Sequence, residues 1–208
     1  MRTMKKLLLS IFLLISLTQP SFAADEAAAP SELLKSSLDE VINTLKNEPD
    51  MLRDLARLEA YVSDKVLSQF DMELLSKSIV GDQIWAKASA EDQGSLTSEM
   101  HIFFRHLIAK TLSEYDNQTL AFDETSFSAD KERVVIKGRL LDKKDETVPF
   151  SLRMIKSDNT WKIYDVALGG VDLIYTYRSN FKSTLEEGGV TKLAAELHKK
   201  NLAVAAIK

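Results

Sequence analysis

Three features of the chain predict an α+β fold, with helices packed on one face of a curved antiparallel sheet of about four strands. The apolar residues recur at helical spacing up to Asn117, alternate with a period of two from there to Leu168, and then return to helical spacing. The alternating segments are joined by short polar turns, which favours an antiparallel meander because parallel strands need long crossovers. Without residues 1–23, 185 of the 208 residues remain, enough for one domain with a full core.

Residues 1–23 read as an export signal. Arg2, Lys5 and Lys6 form a charged start, 7–17 is an apolar run, and Ser21 and Ala23 place small residues where a signal peptidase cuts. The run is shorter than the roughly 20 residues a transmembrane helix needs. Residues 24–30 read as a flexible lead-in and 31–208 as a single domain. Ser31 is the expected N-cap of a first helix carrying Leu34, Leu38, Val41, Ile42 and Leu45. Pro49 breaks it, and a second helix is expected through Leu52, Leu55, Leu58 and Val62. Asp71 is placed to cap a third helix, Met72–Val80, which Gly81 ends. Ser89 opens a long helix with the stripe Leu96, Met100, Phe103, Phe104, Leu107, Ile108 and Leu112.

Leu120 and Phe122 open the first strand, and Val134 and Ile136 mark the second. Val148, Phe150, Leu152 and Met154 alternate with polar residues in the third. The fourth, 161–168, follows a turn at Asp158 and Asn159. Two helices are expected to close the chain, 171–187 and 190–201, separated at Gly188 and Gly189.

The net charge is −4, and removal of the three signal cations takes it to −7, which argues against a nucleic-acid partner. With no Cys there is no disulfide, no thiolate metal site and no lipidated cysteine; an exported chain of this kind suits a bacterial periplasm. His101 and His106 are five apart, a spacing that does not pair on a helix face, and His198 lies in a Lys-rich segment, so a metal site is not expected. Nucleophile motifs and phosphate-binding glycine loops are missing. Asp165 is the one carboxylate inside an apolar strand, and it needs a partner there; Arg178 is a candidate. Apolar periodicity by itself does not distinguish a solid core from a hollow one.

Three stretches together resemble the MlaC family of periplasmic lipid carriers. The first, from Val66 to Gly81, contains Phe70-Asp71 and Ile79-Val80-Gly81, similar to the family's Leu-x-x-Phe-Asp leading to Val-Leu-Gly. The second joins Trp85, Ala88, Ser89 and Gln93 to the aromatic helix at Phe103 and Phe104. The third is Trp161-Lys-Ile-Tyr-Asp-Val166 with Gly170-Val171, Tyr177-Arg178, Phe181 and Gly188-Gly-Val190. Gly169 and Asp172 depart from the family pattern, which commonly has an acidic residue and a Ser there.

The resemblance implies an NTF2-like fold and no catalytic activity. It implies a hollow between sheet and helices holding phospholipid acyl chains as cargo, with no other cofactor; two tails would need a dry cavity at or beyond the upper end of ordinary pockets, roughly 1,000 Å³. The implied partners are an outer-membrane lipoprotein–porin complex and an inner-membrane ABC transporter complex with its MCE-type subunit, served by a monomer. Candidate lining residues on strands and facing helices are Phe103, Leu107, Val134, Ile136, Phe150 and Leu152, with Met154, Ile163, Val166, Leu173, Tyr177 and Phe181. Trp85 and Trp161 fit either lining or solid core, and Arg178 is a second-rank candidate for a lipid phosphate. An enzyme of the same fold using Asp165 as base, and a periplasmic chaperone with exposed apolar surface, are the alternatives.

Overall fold

The computed structural model describes residues 28–141, 146–158 and 160–206. The expected signal segment, residues 24–27 of the lead-in, and Asn159 of the turn lie outside the described residues. The first helix, α1 (Ala28–Asn47), begins three residues before the expected cap at Ser31. Pro30 is tolerated because it sits in the first turn, where backbone N–H groups have no intrahelical acceptor.

The expected second helix is broken into pieces. A 3-10 turn (Met51–Arg53) precedes Asp54, which adopts an extended conformation and accepts from the Arg57 N–H at 3.0 Å. That cap starts α2 (Leu55–Tyr61), because an Asp carboxylate satisfies a free N–H better at a helix start than inside one. A π turn (Val62–Val66) and a second 3-10 turn (Leu67–Gln69) follow. Asp71 caps α3 (Met72–Val80) through the Leu74 N–H at 2.9 Å, and Gly81 ends it, as the sequence predicts. A four-residue helix not anticipated from sequence, α4 (Asp82–Trp85), buries Trp85 as a core anchor. Ser89 caps α5 (Ala90–Ser113), its Oγ accepting from the Asp92 N–H at 3.1 Å.

The sheet is an antiparallel meander of β1 (Thr119–Phe127), β2 (Arg133–Leu141), β3 (Thr147–Ser157), β4 (Thr160–Leu168) and a two-residue β5 (Val171–Asp172). The register places Val134 opposite Met154, Ile136 opposite Leu152, and Gly138 opposite Phe150. Leu152 in turn lies opposite Val166, and Met154 opposite Ile163, so these residues share the inner face. Gly138 belongs to that face because nothing larger fits. A Cβ there would stand 2.4 Å from both the Ala121 carbonyl oxygen and the Phe150 ring. Phe150 uses the space to meet Phe122 edge to face at 5.7 Å.

The last helix, α6 (Leu173–Ala205), is capped by Asp172, whose carboxylate accepts from the Tyr175 N–H at 2.8 Å. It consists of two helical limbs broken at Gly189, whose φ 64° and ψ −154° are not helical. The two expected helices are therefore present as the two limbs of α6, separated at the glycine pair as the sequence predicts.

Two apolar clusters result. One packs α2, α3, α4, α5 and α6 together around Leu58, Leu96, Met100, Phe104 and Leu193. The other lies on the inner face of the sheet, where Leu34 and Leu38 of α1 cover Val134, Ile136, Leu152 and Met154. The segment 68–71 stitches helices to sheet: the Asp71 N–H donates to the Ile163 carbonyl at 2.8 Å, and Lys162 Nζ donates to the Ser68 carbonyl at 2.7 Å.

Candidate functional site

Where the two clusters meet, the chain leaves an apolar hollow of about 280 Å³. Leu34, Leu38 and Val41 of α1 form one wall, and Phe104, Ile108 and Leu112 of α5 form another. Leu152, Ile163 and Val166 form the sheet side, with Leu173 at the start of α6. Val66, Leu67, Phe70 and Leu75 complete the lining. The remaining lining residues are Ser37, Lys65 and Gln69.

Two smaller spaces adjoin it beneath α1. One, of about 230 Å³, shares Leu38, Val41 and Leu112 and continues to Ile42, Leu45, Leu120 and Leu140. The other, of about 270 Å³, shares Leu34, Ser37, Gln69 and Ile163 and continues to Met154, Trp161 and Lys162. The space under α1 is therefore a main hollow with two satellites, each smaller than the roughly 1,000 Å³ that two tails need, and the leucines of α1 line all three.

Of the twelve lining candidates, Leu152, Ile163, Val166 and Leu173 line the main hollow, and Met154 lines a satellite. Val134, Ile136 and Phe150 are buried on the same inner face without lining the main hollow. Phe103, Tyr177 and Phe181 instead form an aromatic contact between α5 and α6, with Phe103 and Tyr177 edge to face at 5.3 Å. Leu107 is 38% exposed. The reason is one of helical rows. Leu96, Met100, Phe104, Ile108 and Leu112 follow one another at i, i+4 and make a single inward row, whereas Phe103 and Leu107 belong to the adjacent row. The signal for Phe104, Ile108 and Leu112 was in the stripe. Nothing in it marked α1 or the segment around Val66, Leu67 and Phe70 as walls.

Polar groups near the hollow are mostly committed elsewhere. Asp165 is 1% exposed and does not line it. Its partner is Arg153, opposite it in the β-sheet register, with Nη1 donating to Oδ2 at 2.6 Å; Arg178 donates instead to the Ser78 carbonyl. Asp165 Oδ1 accepts from the Val166 N–H at 2.9 Å and the Ile174 N–H at 3.4 Å, which ties the start of α6 to the sheet. Burial, and then the neighbouring Asp172, pushes the Asp165 carboxyl up to about 6 against the pull of Arg153. Asp172 fits this corner as both helix cap and second carboxylate for Arg153, at 3.3 Å.

The histidines are apart and occupied in packing. His106 Nδ1 meets Glu59 Oε1 at 2.8 Å between α5 and α2, and His198 Nδ1 meets Glu99 Oε1 at 2.8 Å between α6 and α5. His101 is held below the usual imidazole range by burial and then by Arg105. Among the described residues no group of His, Asp and Glu could hold a metal ion, and no helix is long and apolar enough to cross a membrane.

A protein-family model described as MlaC protein matches residues 35–199. No curated protein matches the chain. Among solved structures, the chain is similar to the phospholipid-binding protein from Ralstonia solanacearum, determined in complex with a phospholipid. The TM-score is 0.74 at 29% identity, over 88% of this chain and 99% of that one.

Proposed function

The chain belongs to the MlaC family, and on that premise we propose that it is a non-enzymatic phospholipid carrier of the periplasm. It shuttles lipid between an outer-membrane lipoprotein–porin complex and an inner-membrane ABC transporter complex with an MCE-type subunit. The observation that carries this reading is the hollow itself, lined almost entirely by apolar side chains and bounded by a helix that also covers both satellites.

Physical chemistry makes such a protein necessary. Each methylene contributes about 0.8 kcal/mol when removed from water, so two tails of about 30 methylenes would cost about 24 kcal/mol to leave exposed. A carrier must offer dry volume and needs no catalyst. If a methylene takes about the room of a water molecule, roughly 30 Å³, two tails need on the order of 900 Å³. The main hollow alone is smaller than that, so loading draws on the satellites as well, and α1 is the element common to all three. The alternative enzymatic use of Asp165 is disfavoured because Arg153 and two backbone N–H groups occupy its oxygens outside the hollow.

The test is native mass spectrometry of the mature protein purified from periplasm without detergent. A stoichiometric added mass of a phospholipid, released on denaturation, is expected. A bare polypeptide mass that persists after incubation with phospholipid vesicles would overturn the reading.

A further inference from the structure

An otherwise apolar hollow with three polar lining residues on one side has a direction. Ser37 lies on α1, Lys65 in the π turn and Gln69 at the end of the 3-10 turn that follows. Ser37 and Gln69 also line the satellite that contains Lys162. The polar side of the hollow is therefore the seam between α1 and the segment 62–69. Tight, regular α-helix would not place successive residues this way. The π turn and the 3-10 turn after it interrupt the regular helix, and Lys65, Val66 and Leu67 all reach the lining.

Lys65 bridges wall and solvent, since it lines the hollow while its side chain remains 47% exposed. Its Nζ stands 3.5 Å from Glu40 Oε1 of α1 and 3.9 Å from Asp64 Oδ2. Both separations are long for a charge-assisted hydrogen bond, and exposed pairs of this kind contribute little. The ammonium is thus held in place but weakly engaged. Glu40 lies on the same helix as Leu34, Leu38 and Val41, whose side chains form one wall of the hollow.

Resting on the carrier reading, we propose that Lys65 binds the phosphodiester of the bound phospholipid, and that the phosphate replaces Glu40 at its ammonium. Tails seated among Leu38, Phe104, Leu152 and Val166 hold the phosphate at the seam, where its effective concentration exceeds that of any free anion. The exchange frees Glu40, and with it α1, as lipid enters. Loss of lipid restores the pair and returns α1 to the sheet. The phosphodiester is common to glycerophospholipids, so this contact gives grip without selecting a head group.

The experiment compares wild type, Lys65→Ala and Glu40→Gln for binding of phosphatidylglycerol and of diacylglycerol with the same tails, followed by native mass spectrometry and by uptake from vesicles. Lys65→Ala is expected to weaken phosphatidylglycerol binding roughly three- to tenfold more than it weakens diacylglycerol binding, the size of a partly exposed charge-assisted contact. Glu40→Gln is expected to speed uptake of phosphatidylglycerol without weakening it. Equal effects of Lys65→Ala on both lipids, or none on either, would overturn the proposal while leaving the carrier reading in place. Slower uptake by Glu40→Gln would overturn the latch. Failure of wild type to bind either lipid would overturn the carrier reading and this proposal with it. Release of phosphatidylglycerol by millimolar inorganic phosphate would assign Lys65 to a free anion and overturn the proposal as well.

Discussion

Along α5 the same row of side chains passes from one kind of interior to another. At Leu96 and Met100 it is enclosed by helices and fully buried. At Phe104 the ring meets Phe103 and Tyr177 edge to face, at 5.3 and 5.2 Å, and closes the helical core. One turn later, at Ile108 and Leu112, the row faces the hollow beneath α1. The residue types hardly change; the partners do. Interlocked aromatic rings and small residues such as Ala109 fill the helical side, whereas the sheet side is spanned by aliphatic side chains from α1 that reach across without filling the gap. A solid region and a hollow one can therefore be built from one amphipathic stripe, and the difference lies in what the neighbouring element brings.

The sharpest way to break this contrast is to truncate one leucine in each region. Leu96→Ala in the helical core is expected to cost about 2–5 kcal/mol, because the packed surroundings cannot collapse into the space. Leu152→Ala, on a wall of the hollow, is expected to cost less, about 1–2 kcal/mol, since one side of that residue already lacks partner atoms. Urea unfolding of both variants decides it, and equal losses would show that the hollow is not open in solution.

The next effect tests the junction between the regions, where Arg153 and Asp165 join the sheet to α6. Asp165 has a folded-state pKa of about 6, raised from 3.8 chiefly by burial. A raised acid binds its proton more readily in the folded than in the unfolded state, so its effect is to lower stability as pH climbs from about 4 through 6. Arg153 opposes that penalty. Arg153→Gln leaves the buried carboxylate without its cation and should cost about 2 kcal/mol at pH 7.5. The loss should shrink below pH 6 as the carboxyl takes up its proton. A loss that stays constant from pH 5 to 8 in chemical unfolding would mean that the arginine acts through packing alone.

Smaller again is the effect expected at the break in α6, between a limb that starts at the hollow and one that lies in the helical core. Leu173 lines the hollow, while Val190, Leu193 and Leu197 beyond the break belong to the helical core. Gly189 sits at φ 64° and ψ −154°, a region open essentially to glycine only, and a Cβ there would meet no atom within 4 Å. Gly189→Ala should thus cost about 1.5 kcal/mol from torsion alone. Thermal unfolding measures it, and a loss near zero would mean that the limb can straighten.

Much of this was legible from the residues. Period two, with turns between, gives the meander and its inner face, and Asp71, Gly81 and Ser89 mark helix ends because caps are local chemistry. What the stripes could not reveal was which surface each one covers. Leu34, Leu38 and Val41 announce an apolar face on α1, but only the fold shows that it spans the hollow. Leu107 shares its stripe with Phe104 and still faces outward, because a broad stripe on a helix contains two rows. Arg153 was overlooked as the partner of Asp165 because the bulge between Arg153 and Met154 sets the register there, and a bulge has no signature in the alternation.

Filling the hollow is the complementary perturbation, and it is expected to change stability least. Val166 lines the hollow from β4, with space in front of it. Val166→Phe would place a ring in that space, gaining apolar burial without displacing packed atoms, and should alter stability by less than about 1 kcal/mol. The same enlargement at the fully buried Ala109 has no space to enter and should cost about 3 kcal/mol. The two variants then separate stability from cargo. Val166→Phe should unfold in urea like the wild type yet carry less phospholipid in native mass spectrometry, because volume rather than fold limits what it can hold. Undiminished lipid in that variant would place the tails in the satellite spaces under α1, and the main hollow would no longer be the cargo site.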